Sequence, residues 1–430
     1  MKKSMKAAII LGLVAIVSAG ILIAYQSVSA ASYAQAKEEE ARQEREQIQE
    51  QKKKDLLEKA EKLYQGYFYD EAIALLQSDP TLVTTEADDA ITLKIDEITK
   101  AEASLIKYEG PIEHVFFHSL IIYPELAFDN KGHPAQGYNM WMTTVSEFKK
   151  MLPELQKRGY VLYPLTEYIE QDPGNPGMIK LKDIYLPPGK VPLVLSVDDV
   201  NYYDYMKPDG FANRLVLGDD GRVWTEVITP EGKTTLTRDG DVMPILDDYV
   251  DAHPDFSWKG AKGTLALTGY QGALGYRITD GLPQEAEWKQ TVTKIADTLK
   301  ANGWSIACHS YTHNGYFRDG TLTMKQIKYD TDRWIEKIAP YVGSTNIYIS
   351  PFGVNFKKDD PRYRYLMEKG YQIYCPVGNG RRITWNGDNI VMPRVNLDGY
   401  SMNKRAAELE AHYFNVTDVL DAKRPALKVD

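Results

Sequence analysis

The sequence predicts an α/β protein: a distorted (β/α) barrel of about seven strands with a β-hairpin insertion, preceded by a transmembrane helix and an α-helical stalk. Three observations predict it. An uncharged run lies near the start, a densely charged stretch without glycine or proline follows, and beyond Gly110-Pro111 short apolar runs alternate with amphipathic ones. The 430 residues suffice for a core of ordinary size and an accessory segment.

The first element sets the compartment. Lys2, Lys3 and Lys6 precede an uncharged run over 7–25, about the length that crosses a hydrocarbon layer of roughly 30 Å at 1.5 Å per helical residue. The chain is therefore expected to be exported. Val28-Ser29-Ala30 before Ala31 has the small-x-small form of a cleavage site, so 1–30 is a signal anchor or a signal peptide. Its length favours an uncleaved anchor, with the lysines inside, the cell membrane as partner of this helix and the rest of the chain outside as a single-pass protein. Cleavage would make it secreted.

Residues 31–109 read as a stalk and a helical hairpin. From 35 to 59 the chain is almost entirely Glu, Gln, Lys, Arg and Ala, strong helix formers with few apolar positions, which suits a solvated stalk of the coiled-coil kind. Leu56, Leu57, Ala60, Leu63 and Tyr64, then Ala72, Ile73, Leu75 and Leu76, keep helical spacing across a break at Gly66. A helix over 86–106 is expected to pack against this pair.

Residues 110–425 hold the barrel. Strands are expected at 115–117, 160–162, 191–197, 264–267, 304–308, 347–349, 371–374 and 390–392, and helices at 144–157, 287–302, 332–341 and 362–369. Residues 201–262 are an insertion, because its alternating runs and the turns Asp219-Asp220-Gly221 and Pro230-Glu231-Gly232 describe hairpins; they are expected to hang over the rim of the barrel. The tail after Asp418 reads as a surface extension.

Composition narrows the function. The net charge of -9, with 60 acidic against 51 basic side chains, leaves no basic footprint and excludes a nucleic acid partner. Cys308 and Cys375 are the only cysteines, too few for a disulfide scaffold or a Cys-rich zinc module, so the seven histidines must supply any soft metal site. The 29 tyrosines suit a surface that stacks on sugars as well as an interior with polar tips.

In β/α barrels chemistry collects where strands end. His118 follows the first strand, Asp198 and Asp199 the third, and His309 the fifth with His313 four residues on, while Ser350-Pro351-Phe352-Gly353 follows the sixth. An Asp-Asp pair alone is ordinarily a turn or helix cap, and a lone H-x-x-x-H decides little. Two histidines and a carboxylate at the ends of different strands of one domain make a catalytic divalent-metal site with open positions.

The motif order resembles the polysaccharide deacetylase family of the NodB-homology type, carbohydrate esterase family four. Ser196-Val197-Asp198-Asp199 is similar to its first motif, Thr-Phe-Asp-Asp, and His309-Ser310-Tyr311-Thr312-His313 matches its second, His-Ser/Thr-x-x-His. Ile349-Ser350-Pro351-Phe352-Gly353 resembles its third without the arginine and with Phe for Tyr. The resemblance implies a hydrolase of carbon-nitrogen bonds other than peptide bonds. Asp199, His309 and His313 would hold one divalent ion, usually zinc, with Asp198 as catalytic base and the Phe352 N–H at the oxyanion. Its substrate would be an N-acetylated polysaccharide such as peptidoglycan or poly-N-acetylglucosamine; the alternatives are a polysaccharide O-acetyl esterase and a glycan-binding pseudoenzyme. Two departures qualify it. The late Leu-x-His motif that supplies the general acid has no counterpart, since His412 is the only histidine after His313. His118, in a Phe-Phe-His run resembling the opening of the biofilm poly-N-acetylglucosamine deacetylases, is the candidate acid, or else a core histidine. Arg394, after the last expected strand, is the candidate to replace the missing arginine. Tyr202 and Tyr203, together with Tyr205, are candidates to stack on sugar, whereas Trp224 reads as hairpin packing.

Overall fold

Strong helix formers without an intervening cap carry one helix through both N-terminal segments. In the computed structural model α1 runs unbroken over Lys2–Gln65, 64 residues or about 96 Å at the α-helical rise, so the apolar segment and the stalk are a single element. It is the one helix among the described residues long and apolar enough to cross a membrane. The structure describes residues 2–83, 89–378 and 381–426. They fall into two units, Met1–Tyr64 with Tyr69–Lys100, and Gln65–Phe68 with Ala101–Asp430.

In the first unit α1 is joined by α2 (Tyr69–Leu76) and α3 (Ala90–Ala103). Ala60, Ala72, Leu76, Ile91 and Ile98 are buried at helical spacing. Asp89 caps α3 by accepting the N–H of Ile91 and of Thr92 at 3.0 and 3.1 Å and pairs with Lys53 at 2.6 Å. The start expected for this helix, at residue 86, lies outside the described residues.

In the second unit the expected strand-helix alternation is present. The main sheet contains β1 (Glu113–Phe117), β2 (Tyr160–Leu162), β3 (Val191–Val197), β7 (Thr264–Leu267), β8 (Ser305–Cys308), β9 (Ile347–Ile349), β10 (Ile373–Cys375), β11 (Thr384–Trp385), β12 (Ile390–Val391) and β13 (Val395–Asn396). Between β3 and β7 lie β4 (Ala212–Leu217), β5 (Val223–Ile228) and β6 (Thr234–Thr237). The hydrogen-bonded path is β11-β12-β10-β9-β8-β7-β3-β1-β13, with β2 beside β3, and every pair except β11-β12 is parallel. The path thus holds nine strands where about seven were expected. The additional ones, β11 and β13, are two residues long, too short to show any periodicity. A parallel bridge between Val377 and Arg394 ties the segment after β10 to the residue entering β13, which curls the sheet round.

Strand alternation sorts the side chains into two layers. Leu193, Leu195 and Val197, Leu265 and Leu267, and Ile306 and Cys308 pack in the large outer cluster with the helices α4 (Val145–Lys157), α5 (Val242–Ala252), α6 (Glu285–Ala301), α7 (Met324–Lys337) and α8 (Pro361–Glu368). Val194, Ala266, Ala307, Ile347, Ile349, Ile373 and Cys375 form the second, inner cluster. The small Ala266 and Ala307 leave room on that inner face, and the same parity sends His114, Ser196, Asp198 and His309 to it. Both cysteines are buried and free.

The insertion is the antiparallel sheet β6-β5-β4 followed by α5. It packs through Leu215, Val223 and Val227 into the outer core with α5 and α6, on the helical layer, and its Leu215 N–H donates to the carbonyl of Leu274 in the loop after β7 at 3.1 Å. Trp224 stays with its own hairpin, donating to Asp220 at 3.1 Å. The tail is likewise anchored. Arg424 forms a fork with the fully buried Glu147 at 2.6 and 2.7 Å, and Asp421 accepts from Thr144 at 2.9 Å, which corrects the expectation of a surface extension.

Asp241, fully buried at the start of α5, accepts the N–H of Leu120 at 3.0 Å and of Val242 at 2.8 Å and the hydroxyl of Tyr202 at 2.6 Å. Burial outweighs these donors and pushes its pKa up to about 6. Because the folded pKa lies above the unfolded one, this carboxyl favours the fold below about pH 4, and that contribution is lost as pH rises through about 6. The loss amounts to about 3 kcal/mol. Chemical unfolding of the wild type and of Asp241→Asn across pH 4 to 7 should show the variant's relative stability rising by that order; parallel profiles would refute it.

Candidate metal centre

Two strand ends, those of β3 and β8 on either side of β7, bring the candidate ligands together. After β3 the backbone turns sharply, with Asp199 at φ 59°, and throws successive side chains of Asp198 and Asp199 toward one point. After β8 the segment His309–His313 turns through positive φ at Ser310 (64°) and at His313 (42°). Asp330, buried on α7, holds that turn by accepting the N–H groups of Tyr311 at 2.6 Å and Thr312 at 2.9 Å, and Ser310 Oγ accepts the N–H of His313 at 2.9 Å.

The donor set fits a divalent ion. Asp199 Oδ1 lies 3.9 Å from His309 Nε2 and 3.8 Å from His313 Nε2, and one ligand atom of each residue lies within 4.8 Å of the others. Ligand bonds of about 2.0 to 2.2 Å set tetrahedral donors about 3.4 Å apart, so a small closing movement suffices. His309 Nδ1 is 2.8 Å from the carbonyl oxygen of Ile349. A carbonyl only accepts, so Nδ1 carries the proton and Nε2 presents its lone pair to the centre. Burial pushes the His309 pKa down to about 4, against the pull of Asp198, which keeps the ring neutral as a ligand must be.

Asp198 stands beside this triad, its Oδ2 3.9 Å from His309 Nε2. Burial alone would raise its pKa, but Arg394 and His309 hold it down at about 2. Arg394 grips both carboxylate oxygens, at 2.6 and 3.0 Å, and reaches Ser196 Oγ at 3.2 Å. Its guanidinium is fully buried, 4.1 Å from the Phe116 ring centroid. His114 Nε2 continues the chain to Ser196 Oγ at 3.0 Å.

Of the remaining candidates, His118 directly follows β1 and is half-buried, its buried Nδ1 without a hydrogen-bond partner among the described residues. It acts electrostatically on Asp198, Asp199 and Asp398. Phe352 has φ 52° and lays its ring 4.4 Å from that of His313. Two of the candidate stacking residues are not available to a ligand. Tyr202 is 2% exposed and gives its hydroxyl to Asp241, and Tyr203 is 3% exposed, so neither ring can meet sugar. Tyr203 instead donates to Asp199 Oδ1 at 2.8 Å, with Thr268 Oγ1 3.1 Å away. Sequence reasoning missed this positioning role and those of Ser196, His114 and Asp330. The one available signal was that Ser196 and Tyr203 lie within four residues of the Asp pair.

No family model and no curated protein matches the sequence. Solved structures with similarity to the chain include IcaB from Ammonifex degensii, with 12% identity, a TM-score of 0.40 and coverage of 69% of this chain and 96% of that one. Another is the BpsB deacetylase domain from Bordetella bronchiseptica, with 12% identity, a TM-score of 0.26 and coverage of 49% and 74%.

Proposed function

We propose that the chain is a membrane-anchored, metal-dependent hydrolase that removes N-acetyl groups from an extracellular N-acetylhexosamine glycan of the peptidoglycan or poly-N-acetylglucosamine type. The observation that carries the reading is the convergence of Asp199, His309 and His313 next to a second carboxylate, Asp198, held ionised by a buried arginine. We read the circuit through β1, β3, β7, β8, β9, β10 and β13 as the distorted barrel of about seven strands, and α1 as the anchor.

A divalent ion in the triad, zinc by the mixed imidazole and carboxylate donors, would polarise the acyl carbonyl and make water more acidic. Asp198 takes the proton from the attacking water. Arg394 orients it and keeps it ionised, at the cost of basicity, so position counts for more than base strength here. The backbone N–H of Phe352 is assigned to the developing oxyanion. His118 is assigned to protonate the leaving nitrogen, because amine expulsion is slow until the nitrogen carries a proton.

Acetate release from chitooligosaccharides, acetylated xylan and purified peptidoglycan by the zinc-supplied protein tests the reading. Release from an N-acetylated substrate is expected; release from xylan alone would make it an esterase, and none from any would leave a binding protein. His118→Ala should keep its metal and lower turnover on the N-acetyl substrate by about 10² to 10⁴. On an activated aryl acetate, whose leaving group needs no proton, the loss should be much smaller. Equal losses on both substrates would return His118 to a structural role.

A further inference from the structure

Resting on the glycan reading of the site, we propose that Tyr205 and Tyr270 form a stacking platform beside the metal centre that holds a neighbouring sugar ring, so that the substrate is a chain of several units. Tyr205 and Tyr270 are 41% and 38% exposed, and both pack against the buried Tyr203. The Tyr203 ring centroid is 5.8 Å from that of Tyr205 at an interplanar angle of 10°, and 5.2 Å from that of Tyr270 at 25°. The Tyr203 hydroxyl is the one bonded to Asp199, so the aromatic cluster is attached directly to a metal ligand.

The platform is braced from behind. Asn201 Nδ2 donates to the carbonyls of Thr268 and Gly272, and Asn201 Oδ1 accepts the N–H of Thr268 at 2.9 Å, joining the loop after β3 to the loop after β7. Arg277, 8% exposed, donates to the carbonyls of Gln271 at 2.6 Å and Tyr202 at 2.9 Å and to Asp204 at 2.8 Å. The His133 ring lies 4.8 Å from that of Tyr205 at 54°, and buried Asp209 holds His133 Nδ1 at 3.1 Å and the Tyr138 hydroxyl at 2.7 Å. Buried charged groups thus fix two rings that remain in water, an arrangement that orders apolar surface without packing it. A pyranose offers the complement, an apolar C–H face with hydroxyls at its edge, and tyrosine pairs a flat apolar ring with a polar tip. The acidic balance of the chain argues against stacked nucleic acid bases as the occupant.

Calorimetric titration of chitotetraose into the full chain in detergent micelles, with zinc withheld by chelator so that no acetate is released, tests this without turnover. Tyr205→Ala and Tyr270→Ala should each weaken Kd by about 5- to 10-fold, while each variant still takes up stoichiometric zinc when dialysed against it. Tyr185→Ala, an exposed tyrosine in the segment that enters β3, should leave Kd unchanged. A Kd within twofold of wild type in both platform variants, or no binding by the wild type, would overturn the platform. Acetate release is scored separately. Binding through these rings without acetate release would remove the deacetylase reading and keep the platform, whereas acetate release with unaltered binding in the variants would do the reverse.

Discussion

His309→Ala and His313→Ala are each expected to leave a folded protein that no longer retains stoichiometric metal. The wild type, dialysed against zinc and separated from free ion, should carry about one zinc per chain by mass spectrometry. Each variant loses one of three side chains whose ligand atoms lie within 4.8 Å of one another, and two remaining protein ligands make no catalytic site of the usual three-ligand kind. Tyr203→Phe supplies an intermediate step. It keeps all three ligands and removes the 2.8 Å hydrogen bond to Asp199 together with the 3.1 Å one to Thr268, so zinc affinity should weaken by roughly 10- to 100-fold. Stoichiometric zinc in both histidine variants would remove the basis of the functional reading.

Arg394→Ala should destabilise the protein by about 3 to 5 kcal/mol, because it leaves the Asp198 carboxylate buried without its counter-ion. Arg394→Lys should recover little. An ammonium is a point charge, whereas the guanidinium makes two bonds to Asp198 and one to Ser196 and lies over the Phe116 ring, 4.1 Å from its centroid. Adding Asp198→Asn to Arg394→Ala should restore part of the loss, since the stranded charge is then gone. Urea unfolding of the four proteins measures this; a loss below about 1 kcal/mol in Arg394→Ala would show that the pair is not closed in solution.

Much of the strand architecture was legible in the chain, because strands covered on both faces must be continuously apolar and residues 191–197 and 264–267 are short enough to exclude a helix. Runs such as β11 and β13, two residues each, exist only through the partners they pair with, so no local signal announces them. The aromatic candidates divided in the same way. Composition identifies tyrosine as a residue that packs or stacks, but whether a given ring faces core or solvent depends on what the neighbouring loop contributes. Tyr202 and Tyr203 are buried and Tyr205 is not, within one run of five residues.

By itself the sequence determined the long apolar N-terminal helix, the order of the elements, and the residue types Asp-Asp and His-x-x-x-His at strand ends, because these depend on hydropathy, periodicity and motif spacing along the chain. Only the tertiary structure decided that Arg394, 196 residues from Asp198, closes on it, that Tyr203 holds Asp199, and that the insertion lies on the helical layer. Those contacts follow from how the sheet curls, which summed pairings across the whole domain determine and no local stretch of sequence encodes.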